Sequence, residues 1–206
     1  MQQTDFVVHI VDDEESVRKS LAFLLTARGF TVRVHSMPTE VLANLPTDGK
    51  ACLLTDVRMP ELNGVELMLK IAQLGIKIPT IVITGHGDIK LAVEAMKAGA
   101  VDFIEKPFAD EILIEAIHRA AQELEGSGTF VDVAKLRERF TKLSGRENEV
   151  LRYLIAGLPN KSIAHILAIS SRTVEVHRAN IMKKTLARSL PELVRMALET
   201  GIELKQ

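Results

Sequence analysis

The feature that most constrains this sequence is the alternation of short apolar segments with longer amphipathic ones in its first half. The short segments span residues 6–11, 31–35, 51–55, 79–84 and 101–104, and three of them are almost continuously apolar, which is typical of strands buried on both faces. Helical patterns lie between them and end at glycines such as Gly29, Gly75 and Gly99. Because parallel strands need crossover connections, this order predicts an α/β fold with a doubly wound, parallel, five-stranded sheet.

The second half of the chain has a different composition. After Gly126-Ser127-Gly128, only helical patterns separated by tight turns follow. Residues 1–125 carry 12 Lys and Arg against 19 Asp and Glu, a net charge of −7, whereas residues 126–206 carry 14 against 8, a net charge of +6. We therefore predict a first domain over residues 1–123, a linker over 124–140 and an all-α domain over 141–206 with affinity for polyanions.

Composition also limits where such a chain works. No run of about 18 apolar residues is present, so a membrane-spanning helix is not predicted. The first residues lack a basic segment followed by an apolar one, which argues against secretion. The single Cys52 has no partner for an internal disulfide and lies in an apolar run. We expect a cytoplasmic protein that does not associate with membranes.

Acidic side chains follow two of the predicted strands directly. Asp12 and Asp13 come after the first strand, and Asp56 comes after the third. In a sheet of flavodoxin-like order these strands are neighbours, and their carboxyl ends meet at the switch point where ligands bind. Carboxylates this close repel one another, so cations are expected there. Mg²⁺, which prefers oxygen ligands, and Lys106, which follows the fifth strand, are the candidates.

Each of these residues also has an ordinary structural role open to it. Asp12 or Asp13 can cap the next helix, and Asp56 can begin an Asx turn. Thr84 can be a strand-end threonine, and Lys106 can be a solvated loop lysine. The functional interpretation is favoured because four of the five predicted strands place a suitable polar group at the same edge.

The segments VDDE, DVRMPELNG, ITGHGD and DFIEKPF together resemble the receiver domain of bacterial two-component response regulators, over about residues 6–123. The resemblance implies a flavodoxin-like (CheY-like) fold and transfer of a phosphoryl group from a sensor histidine kinase to Asp56. It implies no enzyme activity beyond the domain's own phosphotransfer and dephosphorylation. The implied roles are Mg²⁺ binding by Asp12, Asp13, Asp56 and the backbone carbonyl of Arg58, phosphoryl binding by Thr84 and Lys106, a rotamer switch at Phe103, and a cis peptide at Lys106-Pro107.

Helix signals in the second half predict four helices. Two capping boxes, Ser144 with Glu147 and Ser189 with Glu192, begin the first and the last of them. In the second helix, the residues expected to face the core are Ile163, Ala164 and Leu167. The third helix begins near Ser171, with Val174 and Ile181 facing the core. Its outer face exposes Arg172, Glu175, Val176, Arg178 and Lys183. Two helices joined by a short turn predict a helix-turn-helix, while a plain bundle with a solvated charged face remains open on geometry alone.

The segments RENEVL, NKSIA and ISSRTVEVH resemble the DNA-binding domain of LuxR/FixJ-type regulators, over about residues 143–198. The likeness implies that Glu175, Val176 and Ala179 face the major groove, and that phosphates are met by Lys161, Arg172, Thr173, His177 and Arg178. Glu175 stands where many relatives have Lys, and a carboxylate can accept from the amino group of cytosine. His177 is equally suited to bonding a backbone carbonyl. Thr185 stands where an apolar residue is usual, which predicts looser packing at that end of the helix.

The chain as a whole resembles FixJ-type regulators of nitrogen-fixation genes, on overall similarity. That implies an activator that works with RNA polymerase, dimerises when phosphorylated through its fourth helix and fifth strand, and binds double-stranded promoter DNA. Two other classes are less well supported. An aspartyl-phosphate phosphohydrolase needs a second Asp where this chain has Arg58, which does not donate a proton near neutral pH. A sensor of small molecules needs an enclosed apolar pocket, whereas the aspartates and Lys106 favour phosphoryl chemistry.

Overall fold

The computed structural model describes residues 6–45, 50–85, 89–125 and 133–201 of the 206-residue chain. The chain forms two compact units, the first comprising Met1–His86 and Ala98–Thr129, and the second Gly87–Lys97 and Phe130–Gln206. The predicted break at Gly126, Ser127 and Gly128 lies outside the described residues. The domain limits at 123 and 141 therefore stay a prediction.

Among the described residues, five parallel strands form the sheet of the first unit. They are β1 (Val7–Val11), β2 (Thr31–His35), β3 (Ala51–Asp56), β4 (Thr80–Thr84) and β5 (Asp102–Glu105). Their order in the sheet is β2-β1-β3-β4-β5. This is the flavodoxin-like order, and the predicted strands differ from the observed ones by at most one residue at either end. The predicted α/β fold is therefore confirmed.

Helices cover both faces of this sheet. These helices are α1 (Glu15–Ala27), α2 (Pro38–Asn44), α3 (Gly64–Gln73) and α5 (Asp110–Leu124), whereas α4 (Ile89–Lys97) is grouped with the second unit. Ile10 packs in a core cluster that includes Ile117 of α5, whereas the adjacent Val11 packs with Leu67 of α3. Successive side chains of a strand point to opposite faces, so β1 is buried on both sides, which explains its almost continuously apolar sequence.

The strand register aligns the carboxyl ends of the strands at one edge of the sheet. The pairs at the strand ends are Val11 with Thr55, Asp56 with Ile83, and Thr84 with Glu105. Asp12 follows Val11 and therefore emerges beside Asp56, while Lys106 follows Glu105 on the same edge. The convergence of these side chains is a consequence of backbone pairing across four parallel strands.

Two histidines form a buried polar contact between β1 and β2. The Nδ1 atom of His9 lies 3.0 Å from the Nε2 atom of His35, and the two ring planes are 3° from parallel with centroids 5.2 Å apart. The remaining nitrogen of His9, Nε2, is buried without a hydrogen-bond partner among the described residues. Burial, followed by the nearby His35 and Arg33, lowers the pKa of His9 to about 4, so the pair is neutral near pH 7.

The second unit contains the predicted helix-turn-helix. Its C-terminal helices are α6 (Val133–Thr141), α7 (Gly145–Ile155), α8 (Asn160–Ile166), α9 (Ser171–Thr185) and α10 (Leu190–Glu199). The last four correspond to the four predicted helices, and α6 lies mostly within the predicted linker. α9 packs against α6, α7 and α8, with Val174 and Ile181 fully buried, as predicted. Within the described ranges, no helix combines the length and apolarity needed to cross a bilayer.

Three details of these helices differ from expectation. Ser189 accepts the N–H of Glu192, but the Glu192 carboxylate accepts the N–H of Arg188 and leaves the capping box incomplete. Leu167, expected to face inward, is only half-buried because it lies at the end of α8. The looser packing expected at Thr185 is not seen, since this residue is fully buried and its hydroxyl donates to the carbonyl of Ile181 at 2.8 Å.

Candidate functional site

Asp56 lies at the end of β3 with its carboxylate held from two sides. The backbone N–H of Arg58 donates to Oδ2 at 2.6 Å, and the ammonium of Lys106 lies 3.2 Å from Oδ1. Burial raises the pKa of Asp56, and the Arg58 N–H and Lys106 offset this only in part. A carboxylate whose pKa is raised is a more basic nucleophile, and here it is also fixed in orientation.

Lys106 joins the two strand ends that carry the acidic residues. Its ammonium donates to Oδ2 of Asp12 at 2.9 Å as well as to Asp56. Burial alone would lower the pKa of Lys106, but the hydrogen bonds and charges of Asp12 and Asp56 outweigh burial and raise it above its usual value. Lys106 is therefore a firmly charged cation between two carboxylates. The Lys106-Pro107 peptide that follows it is cis, as the resemblance implied.

Asp12 is buried and its conformation is fixed by two further contacts. Its Oδ1 atom accepts the N–H of Glu14 at 2.9 Å, just before α1 begins. Its backbone carbonyl accepts from the guanidinium of Arg18 at 2.6 Å. Asp12 does not cap α1, because Glu14 is the N-cap residue and no side chain among the described residues caps the helix there; the Asp12 carboxylate bonds Lys106 and the N–H of Glu14 instead. The sequence pattern did not single out Arg18.

The other predicted residues of this edge lie in different surroundings. Asp13 is exposed, and the carboxylate partners of Lys106 in the described ranges are Asp12 and Asp56. Thr84 is 1% exposed at the end of β4, and its carbonyl accepts the N–H of Lys106 at 2.7 Å. Phe103 is buried on β5. The structure brings Asp12, Asp56, Thr84 and Lys106 to one edge, while their roles and those of Asp13 and Phe103 stay predictions.

The donor set at this edge suits Mg²⁺. One carboxylate oxygen of Asp12 and one of Asp56 lie 2.9 and 3.2 Å from the Lys106 ammonium, so two carboxylates lie close together at this edge. Mg²⁺ commonly takes one or two carboxylates and completes its shell with water and phosphate. In the part of the chain that is described, no group of three or more His, Cys, Asp or Glu side chains gathers around one point. Ligation of Mg²⁺ by Asp12, Asp13, Asp56 and the carbonyl of Arg58 remains a prediction.

Gly64 is a site position that the sequence pattern did not reveal. It begins α3, and its N–H donates to the carbonyl of Val57 at 3.0 Å. A Cβ at this position would overlap the carbonyl oxygen of Asp56 and crowd the side chain of Thr55. The glycine therefore lets the loop after Asp56 close against the strand that carries it. The signal in the sequence was the Asn63-Gly64 dipeptide, which marks a turn without indicating what it approaches.

The predicted DNA-binding residues lie on α8 and α9. Ser170 caps α9 and bonds Thr173, with its hydroxyl 3.0 Å from the Thr173 nitrogen and 2.8 Å from Oγ1. Arg172 and Glu175 form an exposed ion pair of 3.1 Å on the first turns of α9. Among the remaining predicted contacts, the exposed ones are Lys161, Val176 and Ala179, and the half-buried ones are His177 and Arg178. One helix face therefore displays most of the predicted residues to solvent.

Comparison with known proteins decides the family. Residues 8–118 match the response regulator receiver domain, and residues 141–197 match the bacterial regulatory proteins of the luxR family. The chain is a two-component response regulator.

This response regulator is similar over almost its full length to known transcriptional regulators. It is 59% identical to the transcriptional regulatory protein FixJ of Rhizobium meliloti (strain 1021), across 96% of this chain and 98% of that protein. It is 41% identical to nodulation protein W of Bradyrhizobium diazoefficiens, across 97% and 88% of the two chains. A crystal structure of full-length FixJ from B. japonicum matches with a TM-score of 0.56 and 44% identity, covering 96% of this chain and 98% of that one. The response regulator is therefore a FixJ-like transcriptional regulator with a receiver and a LuxR-type DNA-binding domain.

Proposed function

We propose that this regulator is switched on by phosphorylation of Asp56 and then activates transcription from promoter DNA, with nitrogen-fixation genes as its targets. A sensor histidine kinase supplies the phosphoryl group, and the chain acts in the cytoplasm as a homodimer that recruits RNA polymerase. The observation that carries the proposal is the Asp56 carboxylate, oriented by the Arg58 N–H and by the ammonium that it shares with Asp12.

The phosphotransfer step follows from this arrangement. An oxygen of Asp56 attacks phosphorus, and the bond between phosphorus and the kinase histidine breaks as the acyl phosphate forms. The ammonium of Lys106 lies where negative charge accumulates and reduces the repulsion between two approaching anions. Asp12, Asp13, Asp56 and the Arg58 carbonyl would hold Mg²⁺, which supplies further charge neutralisation when bound.

Phosphorylation then changes the packing at the ends of β4 and β5. A phosphoryl group adds negative charge and three acceptor oxygens, and the Thr84 hydroxyl donates to one of them. A movement of Thr84 leaves space that Phe103 fills, and a rotamer change at a packed position is a two-state element of the kind a switch needs. The receiver then dimerises through α4 and β5.

The DNA-binding domain is proposed to place α9 in the major groove. Glu175, Val176 and Ala179 read base edges, and the phosphates are contacted by Lys161, Arg172, Thr173, His177 and Arg178. One small domain makes few contacts, so pairing two of them raises the effective concentration of the second at a palindromic site.

The experiment is to incubate the full chain with acetyl phosphate and Mg²⁺, and to measure its size by chromatography and its DNA binding by gel shift. The wild-type chain is expected to dimerise and to bind promoter DNA more tightly after the donor is added. Asp56→Asn should abolish both changes while leaving the circular dichroism spectrum intact. Asp110→Asn, the same change at an exposed carboxylate paired with Arg28, should retain them. Mapping of the phosphoryl group to another residue by mass spectrometry would contradict the assignment.

A further inference from the structure

A partly buried ion pair holds the C-terminal end of the recognition helix α9. The ammonium of Lys184 lies 2.7 Å from Oε2 of Glu147, which belongs to α7. Glu147 is only 4% exposed, although it is a charged residue. Charged side chains are rarely buried unless they are paired, so this carboxylate depends on its partners. Lys184 is the partner that lies on α9.

The Glu147 carboxylate is also held in place by Ser144, which precedes it at the start of α7. The N–H of Ser144 donates to the same Oε2 atom at 2.7 Å, and the N–H of Glu147 donates back to the Ser144 hydroxyl at 3.2 Å. This is a complete capping box at the start of α7. The hydrogen bond from Lys184, followed by the bond from Ser144, lowers the pKa of Glu147. A rigid anion at the beginning of α7 therefore anchors one turn of α9.

A second contact holds the same end of α9. The guanidinium of Arg139 on α6 donates to the carbonyl of Thr185 at 3.3 Å. Thr185 is itself fully buried. The last turn of α9 is thus held by side chains from two helices, whereas its first turns carry the exposed Arg172 and Glu175.

We propose that Glu147 and Lys184 are positioning residues for DNA recognition, because their ion pair sets the angle at which α9 presents its first turns to the major groove. This inference rests on the proposed function, in which those turns read base edges. α9 has 15 residues, so at 1.5 Å per residue a tilt at its last turn is carried over about 20 Å to the reading side chains. Hydrogen bonds to bases tolerate only a few tenths of an ångström, while contacts to phosphates carry no sequence information. Loss of the ion pair should therefore lower discrimination between sequences more than total affinity.

The competing explanation is that Lys184 contacts a phosphate directly. Under that explanation, removal of Lys184 weakens binding to every duplex alike. It also reduces the salt slope, the steepness with which the logarithm of the DNA-binding constant falls with the logarithm of salt concentration, by about 1. Removal of the Glu147 charge would then weaken nothing, because a buried carboxylate at the start of α7 offers no contact to an anion. The positioning role predicts instead that both changes lower the ratio of specific to non-specific affinity.

The experiment uses the full chain with acetyl phosphate and Mg²⁺, and two duplexes of equal length. One duplex is selected by the wild-type chain from a random library, and the other is a scrambled sequence of the same composition. Lys184→Met and Glu147→Gln are each expected to lower the ratio of the two affinities about 10-fold, the value of roughly one base contact. The salt slope should stay unchanged for Glu147→Gln. This change also preserves the capping box, because a Gln side chain can accept the same backbone N–H. Lys184→Arg should restore most of the ratio.

Lys142→Met is the matched control, since it removes a lysine from an exposed ion pair of 3.1 Å with Glu138. It should leave the ratio unchanged. An unchanged ratio in Glu147→Gln would overturn the positioning role, whether or not Lys184→Met folds. If the wild-type chain selects no sequence at all, the proposed function falls together with this inference. If the wild-type chain selects a sequence, and Lys184→Met and Glu147→Gln discriminate between the two duplexes as well as the wild type does, only this inference falls.

Discussion

Asp12, Asp56 and Lys106 at the edge of the sheet are mostly buried and bonded to one another, whereas the charged groups on the first turns of α9 are exposed to solvent. Asp12 and Asp56 both bond Lys106, and their side chains are 4% and 11% exposed. On α9, the side chains of Arg172 and Glu175 are 85% and 50% exposed. The first arrangement is part of the packed structure of its unit, and the second lies on its surface.

The difference follows from what each region is proposed to bind. A reacting carboxylate benefits from low dielectric, fixed orientation and a nearby cation, all of which need burial. A surface that meets a polyanion needs charges that remain free to form contacts with phosphates. Substitutions at the sheet edge should therefore change the free energy of unfolding as well as function, while substitutions on the exposed face of α9 should change binding alone.

The largest difference is expected between two identical substitutions of glycine. Gly64→Ala should lower the free energy of unfolding by about 3 kcal/mol, because its Cβ overlaps the carbonyl of Asp56 and the backbone must shift. Gly145→Ala, at the first residue of α7, meets no atom within 4 Å and should be neutral or stabilising by about 0.5 kcal/mol. Urea denaturation of both variants measures this, and acetyl phosphate labelling should be slowed in Gly64→Ala only. Equal stabilities would show that the loop after Asp56 relaxes freely.

The next effect is acid sensitivity of the sheet. Burial lowers the pKa of His9 to about 4, and burial and Arg33 lower the pKa of His35 although Glu40 opposes them. For a histidine with a lowered pKa, stability is fully present above the unfolded value near 6.5 and is lost as the pH falls toward 4. A difference of one in pKa corresponds to about 1.4 kcal/mol. The lowered pKa of His9 should therefore reduce the free energy of unfolding of the sheet-containing unit by about 2 kcal/mol at pH 5.

Urea titrations between pH 7.5 and pH 5, followed by hydrogen exchange of peptides from each unit, measure this loss. The strands of the first unit should lose protection at lower urea as the pH falls, and a His9→Leu/His35→Leu variant should respond less to pH. A variant as acid-sensitive as the wild type would assign the effect to other groups.

The smallest effect on stability is expected on α9. Arg172→Ala should change the free energy of unfolding by less than about 0.5 kcal/mol, because exposed ion pairs contribute little. Affinity should nevertheless fall similarly for all duplexes, and the salt slope should decrease by about 1. Lys19→Ala, which breaks an exposed ion pair with Glu15 on α1, is the control and should leave DNA binding unchanged. An unchanged salt slope in Arg172→Ala would remove Arg172 from the phosphate contacts.

The fold and the meeting of Asp12, Asp56 and Lys106 at one edge were predictable because they depend on local rules. Apolar runs and glycine-terminated helices predicted the strands and their parallel arrangement, and the resemblance to receiver domains implied their order in the sheet. Parallel strands then bring their carboxyl ends to one edge. Asp12, Asp56 and Lys106 each follow a strand directly, so their meeting required no knowledge of side-chain packing. The capping box of Ser144 and Glu147 is a pattern of neighbouring residues and was equally accessible.

The remaining features depend on contacts between residues distant in the sequence. The ion pair of Glu147 with Lys184 spans 37 positions, and the contact of His9 with His35 needs the register of β1 against β2. The close approach of Gly64 to Asp56 needs the path of the loop between them. The Ser189 capping box was half wrong for a local reason, because the Glu192 carboxylate bonds a backbone group one residue before the expected one.

The three residues that meet at the sheet edge come from the ends of β1, β3 and β5, and this has a consequence for the order of events as the chain is made. Asp12 and Asp56 leave the ribosome early, but the ammonium that joins them arrives only with residue 106 of 206. A nascent chain that stops before β5 therefore exposes two acidic strand ends without their lysine. Competence to receive a signal should begin only when the fifth strand has joined the sheet.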